Sequence, residues 1–203
     1  QVTEVKLNWK KDEVNSVCFS HYANSFYKEI SGLSDSEKEQ LSDYTKMFSS
    51  VTEMHIESLR NNKKIYHEQI GAHLGYGVEE SAIVTGKMYE EIGPILEKYD
   101  LFICPTNALP AIKADIDIVN DHVIINEKEQ ECADFAWCMS HPFNMLGKLP
   151  VLSVPSGFSS NRVPTSIQII SRSYSDELVF QGGYNYEMVD PWLNSAKNRP
   201  ILD

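Results

Sequence analysis

Long apolar runs are missing from this sequence: Leu101–Cys104 is among its longest, far short of the roughly 20 residues that a membrane span requires. A transmembrane class is excluded, and no membrane partner is expected. Basic charge is scarce as well. Against 29 Asp and Glu stand 18 Lys and Arg, for a formal net charge of −11, so the surface field repels phosphate backbones and direct nucleic-acid binding is not expected. The four cysteines, Cys18, Cys104, Cys132 and Cys138, are too few and too irregular for a disulfide framework; reduced thiols in a cytoplasmic protein fit better. With ten glycines in all, there is neither a Gly-x-Gly-x-x-Gly loop nor a Walker lysine motif to cradle phosphate.

What is present describes a globular chain. Its 203 residues, 42% hydrophobic and 23% charged, suffice to bury roughly 70% of the surface exposed by the unfolded form, without metal or disulfide staples. Residues Val2 to Leu7 alternate apolar and polar and read as a short strand. Ser34 with Glu37, and Ser36 with Glu39, spell capping boxes at a helix start. Ser50 with Glu53 spells another, opening a segment whose Met54, Leu59, Ile65, Tyr66 and Ile70 could share one face before Gly75 and Gly77 stop it. Glu79 to Lys98 reads as a helix striped by Val84, Met88, Ile92 and Ile95, with Gly93-Pro94 expected to kink or restart it.

Beyond Asp100 the texture changes. Leu101–Cys104, closed by Pro105, suits a buried strand of a sheet covered on both faces. Ile116 to Ile125 alternates across Asn120-Asp121 and reads as an exposed hairpin. Glu129 to Met139 suits a short helix; Val151–Val154 and Ile167–Ile170 suit two strands. Ser175 opens a last helix running to Met188, with Asp176 and Glu177 in its first turn. Gly182-Gly183 inside it cost about 1 kcal/mol each relative to Ala, so close packing against a neighbour is the expected return. The class is α/β, with few strands for a self-contained sheet.

No complete catalytic constellation stands out. Cys132, Cys138 and His141 could approach a metal, but zinc sites favour Cys pairs two to four apart and no CxxC exists here. Cys138 and His141, three apart, could touch on a helix, although a core thiol is the preferred reading. Ser156 follows a strand, but Pro155-Ser156-Gly157-Phe158 lacks the Gly-x-Ser-x-Gly elbow and reads as a turn serine. Glu79-Glu80, Glu90-Glu91 and Asp115/Asp117 read as solvated surface.

Three stretches in order carry a resemblance: Asp100-Leu101-Phe102-Ile103-Cys104-Pro105-Thr106, the run from Pro142 through Gly157, and Val163-Pro164-Thr165-Ser166-Ile167-Gln168-Ile169-Ile170 with Asp176-Glu177. Together they resemble the C-terminal half of amidase-signature enzymes, over residues from about 100 to 192. The resemblance implies part of an α/β/α fold with a mixed sheet. It also implies hydrolysis of an amide bond by a Ser–cis-Ser–Lys triad without metal or organic cofactor. In that family the triad lies N-terminal to the matched stretches, and neither its Gly/Ser-rich signature nor its lysine segment is found here, so no catalytic residue is assigned. The chain, opening on Gln1, is expected to be a single partial domain over 1–203: residues 1–99 mainly helical, and 100–192 carrying the resemblance.

By the same resemblance Trp137, His141, Phe143 and Asn144 are candidates for a substrate-pocket wall on the acyl side; plain core roles for Trp137 and Phe143 and a backbone-satisfying role for Asn144 stay open. The expected partners are a small amide substrate in an intact enzyme, the missing N-terminal part and, in a homo-oligomer, further copies. Ser166 and Ser171 depart from positions where the family favours Gly. Trp137 stands near where the related aminoacyl-tRNA amidotransferase A subunit commonly carries an acidic residue, which favours a general amidase. Two alternatives remain: that amidotransferase component, and a non-catalytic binding module.

Overall fold

The computed structural model describes residues 2–130, 133–189 and 191. Its first helix, α1 (Lys11–Ser31), is one that periodicity does not announce, because its buried face mixes Asn15, Ser16 and Ser20 with Val14, Val17, Cys18 and Phe19. Each polar group is satisfied across the core. Asn15 Nδ2 donates to Gly71 O at 3.3 Å, and Ser20 Oγ to Tyr76 O at 2.8 Å. Ser16 Oγ accepts from His73 N at 2.8 Å. Buried polar side chains are tolerated when paired, and these three fasten α1 to the segment around β2.

Helix α2 (Asp35–Glu39) starts as the capping box requires: Ser34 N and Oγ both donate to the Glu37 carboxylate, at 2.8 and 2.6 Å. The Ser50 box is inert, because α3 (Asp43–Arg60) has already begun at Ser42, whose Oγ accepts from Thr45 N at 3.2 Å. This helix also stops before Gly75. Asn62 takes a left-handed φ of 48°, a conformation that Asn tolerates and that ends helices. Ile65 and Tyr66 then lie in β1 (Ile65–His67), which pairs antiparallel with β2 (Ala72–Leu74), and Ile70 lies in the single 3-10 turn between them. The face expected from Met54 to Ile70 is therefore broken. Val2–Leu7 belongs to no ladder.

Helix α4 (Val78–Lys98) matches its expected span, with the Glu80 carboxylate accepting from Gly77 N at 3.1 Å, and it continues through Pro94 without restarting. Strand β3 (Phe102–Pro105) follows, then the hairpin β4 (Val123–Ile125) and β5 (Lys128–Gln130). The tight turn falls at Asn126-Glu127, with φ of 51° and 64°, the left-handed pair that matches strand twist. Asn120-Asp121 instead sit in a loop where the Asp117 carboxylate accepts from Val119 N at 2.9 Å.

The remaining elements are α5 (Ala133–Trp137), α6 (His141–Met145), β6 (Val151–Phe158), β7 (Pro164–Ile170) and α7 (Asp176–Val189). The central sheet has the order β3-β7-β6, with antiparallel ladders on both sides of β7, so β3 and β6 run parallel to each other at its edges. Ser156 occupies a bulge inside β6 rather than a turn, and its Oγ lies 3.1 Å from Thr165 Oγ1. The two serines at glycine-favouring positions are accommodated. Ser166 Oγ is 2.6 Å from Thr106 Oγ1, and buried Ser171 donates to Ser175 O at 2.9 Å.

Three layers result. On one face Ile170 packs with Met88, Ile92 and Leu96 of α4 and Phe143 of α6; on the other lies α7. Its paired glycines make the close approach expected of them. A Cβ on Gly183 would stand 2.4 Å from Leu152 Cδ2, and one on Gly182 2.6 Å from Leu101 Cδ1. Strand β3 is covered on one face only, since Ile103 is 52% exposed. A second core, around Phe19, Val51, Ala72 and Leu74, joins α1, α3 and β2. Among the described residues no helix is long and apolar enough to cross a membrane.

Candidate functional site

Beyond the C-terminal end of β3, the chain between α5 and α6 is held from three directions. Ala108 N donates to Trp137 O at 2.8 Å, and Met139 N donates to Thr106 O at 3.0 Å. From the central strand, Gln168 Nε2 donates to both Pro105 O at 3.0 Å and Met139 O at 3.2 Å. Gln168 is 2% exposed, so its amide works where water cannot substitute for a lost partner. Pro142 sits in the first turn of α6, where its missing N–H costs nothing.

This fixed segment floors a cleft of about 560 Å³, a size suited to a small ligand. Its walls are aromatic: Phe143 meets Trp9 edge-on with centroids 5.8 Å apart and Phe102 at 5.9 Å. Lys11 and Lys128 line it as well, and no carboxylate does among the described residues. A second hollow of about 620 Å³ lies between α1 and α3, lined by apolar groups such as Phe26, Leu33 and Phe48. Both hollows share Phe135 and His141, whose rings stand 4.9 Å apart.

Of the four residues expected at a pocket wall, His141 and Phe143 come together in the cleft. Trp137 ends α5, half-buried, and borders neither hollow; Asn144 is exposed and borders a smaller one of about 270 Å³ with Cys18 and His21. Trp9 and Phe102 are lining residues that sequence reasoning missed, and Cys138, which the sequence places beside His141 with a core role preferred, lines the cleft as well. Trp9 is more than ninety residues from Phe102, and no local signal announces the pairing.

Cys138 is half-buried at the cleft rather than a core thiol, with Sγ 3.1 Å from Ser140 Oγ. Its pKa is pulled down to about 7, chiefly by a hydrogen bond to the His141 side chain, against an opposing effect of burial. Cys104, in the same cleft, is pushed up to about 11 by burial alone. His141 Nδ1 is buried and has no hydrogen-bond partner among the described residues. Among the described residues no group of three or more His, Cys, Asp or Glu is arranged to hold a metal; Cys132 lies outside them.

Comparison with known proteins agrees with this architecture. A solved structure titled "Crystal structure of amidase" superposes with a TM-score of 0.62 at 16% identity, over 88% of this chain and 35% of that one. The chain is 33% identical over 105 residues to the A subunit of a glutamyl-tRNA(Gln) amidotransferase from Thermosynechococcus vestitus, covering 51% of this chain and 19% of the relative. It is 27% identical over 120 residues to an acylamidase of Rhodococcus erythropolis, covering 59% and 24%. The chain thus spans about a fifth to a quarter of the length of these curated relatives. The family model described as Amidase matches residues 4–180, and the chain belongs to the amidase family.

Proposed function

We propose that this chain is the C-terminal portion of an amide-hydrolysing enzyme, supplying scaffold and one wall of the substrate pocket, while the bond-breaking groups come from polypeptide N-terminal to it. The observation that carries this reading is the family match over residues 4–180 in a sequence with no Gly/Ser-rich loop or accompanying lysine segment. In the family's chemistry a serine attacks the amide carbonyl, a second serine and a lysine relay its proton, and backbone amides stabilise the oxyanion. Losing a nucleophile or its base costs on the order of a million-fold in turnover in a comparable serine hydrolase, so a pocket wall alone cannot sustain activity.

The role of this part is positional. Aromatic walls at Trp9, Phe102 and Phe143 favour an apolar amide, because they offer area rather than paired charge. His141 and Phe143 are the proposed contact residues; Trp137 and Asn144 belong to the same proposed wall at its margins. The test is direct. The 203-residue chain is expected neither to hydrolyse amides nor to take up a fluorophosphonate probe, and stoichiometric labelling would overturn the proposal.

The amidotransferase relative supports a second reading, in which the chain belongs to the amidase component of a multi-subunit amidotransferase. Glutaminase activity in the intact parent that depends on a second polypeptide would favour it. An intact parent that hydrolyses simple apolar amides unaided would favour the first.

A further inference from the structure

We propose that Cys138 is a covalent acceptor site for small apolar electrophiles of the α,β-unsaturated carbonyl class, with His141 and Ser140 holding its thiol ready. The inference concerns these side chains alone and does not depend on amide hydrolysis.

Three independent features converge. The first is access: Cys138 lines the cleft of about 560 Å³, whose aromatic walls at Trp9 and Phe143 suit an apolar body. The second is activation. Ser140 Oγ lies 3.1 Å from the sulfur, and the His141 side chain, which borders the same cleft, hydrogen-bonds the thiol. Among the described residues, the titratable groups lining the cleft are Lys11, Lys128, His141 and the two cysteines. The third is rigidity, since the backbone on either side is pinned by Ala108 and by Gln168.

The chemistry balances without an oxidant or a leaving group. The thiol proton passes to His141, and the thiolate attacks the β-carbon, forming a C–S bond as the C=C π pair moves onto the carbonyl as an enolate. The imidazolium or water then returns one proton to the α-carbon. Cys104 serves as an internal comparison: it shares the cleft, yet burial holds its thiol at about 11. At pH 7 the thiolate fractions differ by roughly 5,000-fold, and the lower nucleophilicity of the more acidic thiolate gives back about 60-fold, leaving about 10² in favour of Cys138.

The experiment treats the native 203-residue chain with N-ethylmaleimide and measures the modification rate of each cysteine by peptide mass mapping. Cys138 is expected to react about 10²-fold faster than Cys104 at pH 7, with a rate profile inflecting near pH 7. His141→Ala is expected to move that inflection up by about a unit or more. The profile of the unaltered chain decides the matter by itself if the variant fails to fold. A Cys138 rate no greater than that of Cys104, or an inflection at the ordinary thiol value of about 8.5, overturns the proposal.

Discussion

Around Phe19, helices α1 and α3 and strand β2 bury Phe19, Ala23, Val51, Ala72 and Leu74 to 2% exposure or less. Under α7 the picture is different: Ile103 is 52% exposed, and Phe180 and Tyr184, four residues apart on one helix face, are 64% and 65% exposed. The first region shuts its central side chains away from solvent, with Asn15, Ser16 and Ser20 of α1 paired across the core. The second is tight inside, where Gly183 meets Leu152, and apolar outside. The contrast teaches that the helical region buries its central side chains fully, whereas the sheet region, among the described residues, keeps large apolar side chains in solvent.

The comparison can be broken from the closed side first. Phe19→Ala should cost about 3–5 kcal/mol, the usual range for deleting a buried aromatic, and denaturant unfolding would show it; a loss under about 1 kcal/mol would mean the core is not closed. Next, Gly183→Val tests the inner face of α7. The added bulk should cost about 1–3 kcal/mol through overpacking, despite the gain in helix propensity, as read from the thermal midpoint.

Acid sharpens the same contrast. Burial, with the Lys64 charge adding to it, lowers the His55 pKa from 6.5 to about 4. Between those values the unfolded chain binds a proton that the folded one refuses. Stability should therefore fall by about 1.4 kcal/mol per pH unit as pH drops from about 6 toward 4, and level off below. His67, also lowered by burial, acts in the same direction, so the difference between the native chain and His55→Gln isolates the contribution. Parallel pH curves for the two proteins would refute it.

Smaller effects remain. Ser42→Ala removes the α3 cap and should cost about 1 kcal/mol in chemical denaturation. On the open side, Phe180→Ser should change stability by no more than about 0.5 kcal/mol while reducing self-association in light scattering, since exposed apolar faces and strand edges invite contact. A loss matching that of Phe19→Ala would erase the distinction between the two regions.

Local signals were legible where one residue settles one structure. The Ser34–Glu37 box, the span of α4 and the close approach at Gly182-Gly183 could all be read in advance. Errors arose where two local signals competed. Ser42 capped α3 before Ser50 could, and Asn126-Glu127 supplied the left-handed pair that Asn120-Asp121 was expected to give. Helix α1 was obscured because Asn15, Ser16 and Ser20 lie on its buried face, and only their distant partners explain them. The cleft was hidden for the same reason: Trp9, Phe102 and Phe143 meet through the fold, and a Cys three residues before a His does not reveal whether the sulfur faces core or cavity.

The Gln168 amide has a reach beyond its own strand. One side-chain nitrogen grips both the end of β3 and the loop beside Cys138, so the register of the sheet and the shape of the cleft floor are mechanically one object. A change at this position deep in the sheet would be felt as a displaced cleft floor, and repairing the cleft from its rim would not restore it.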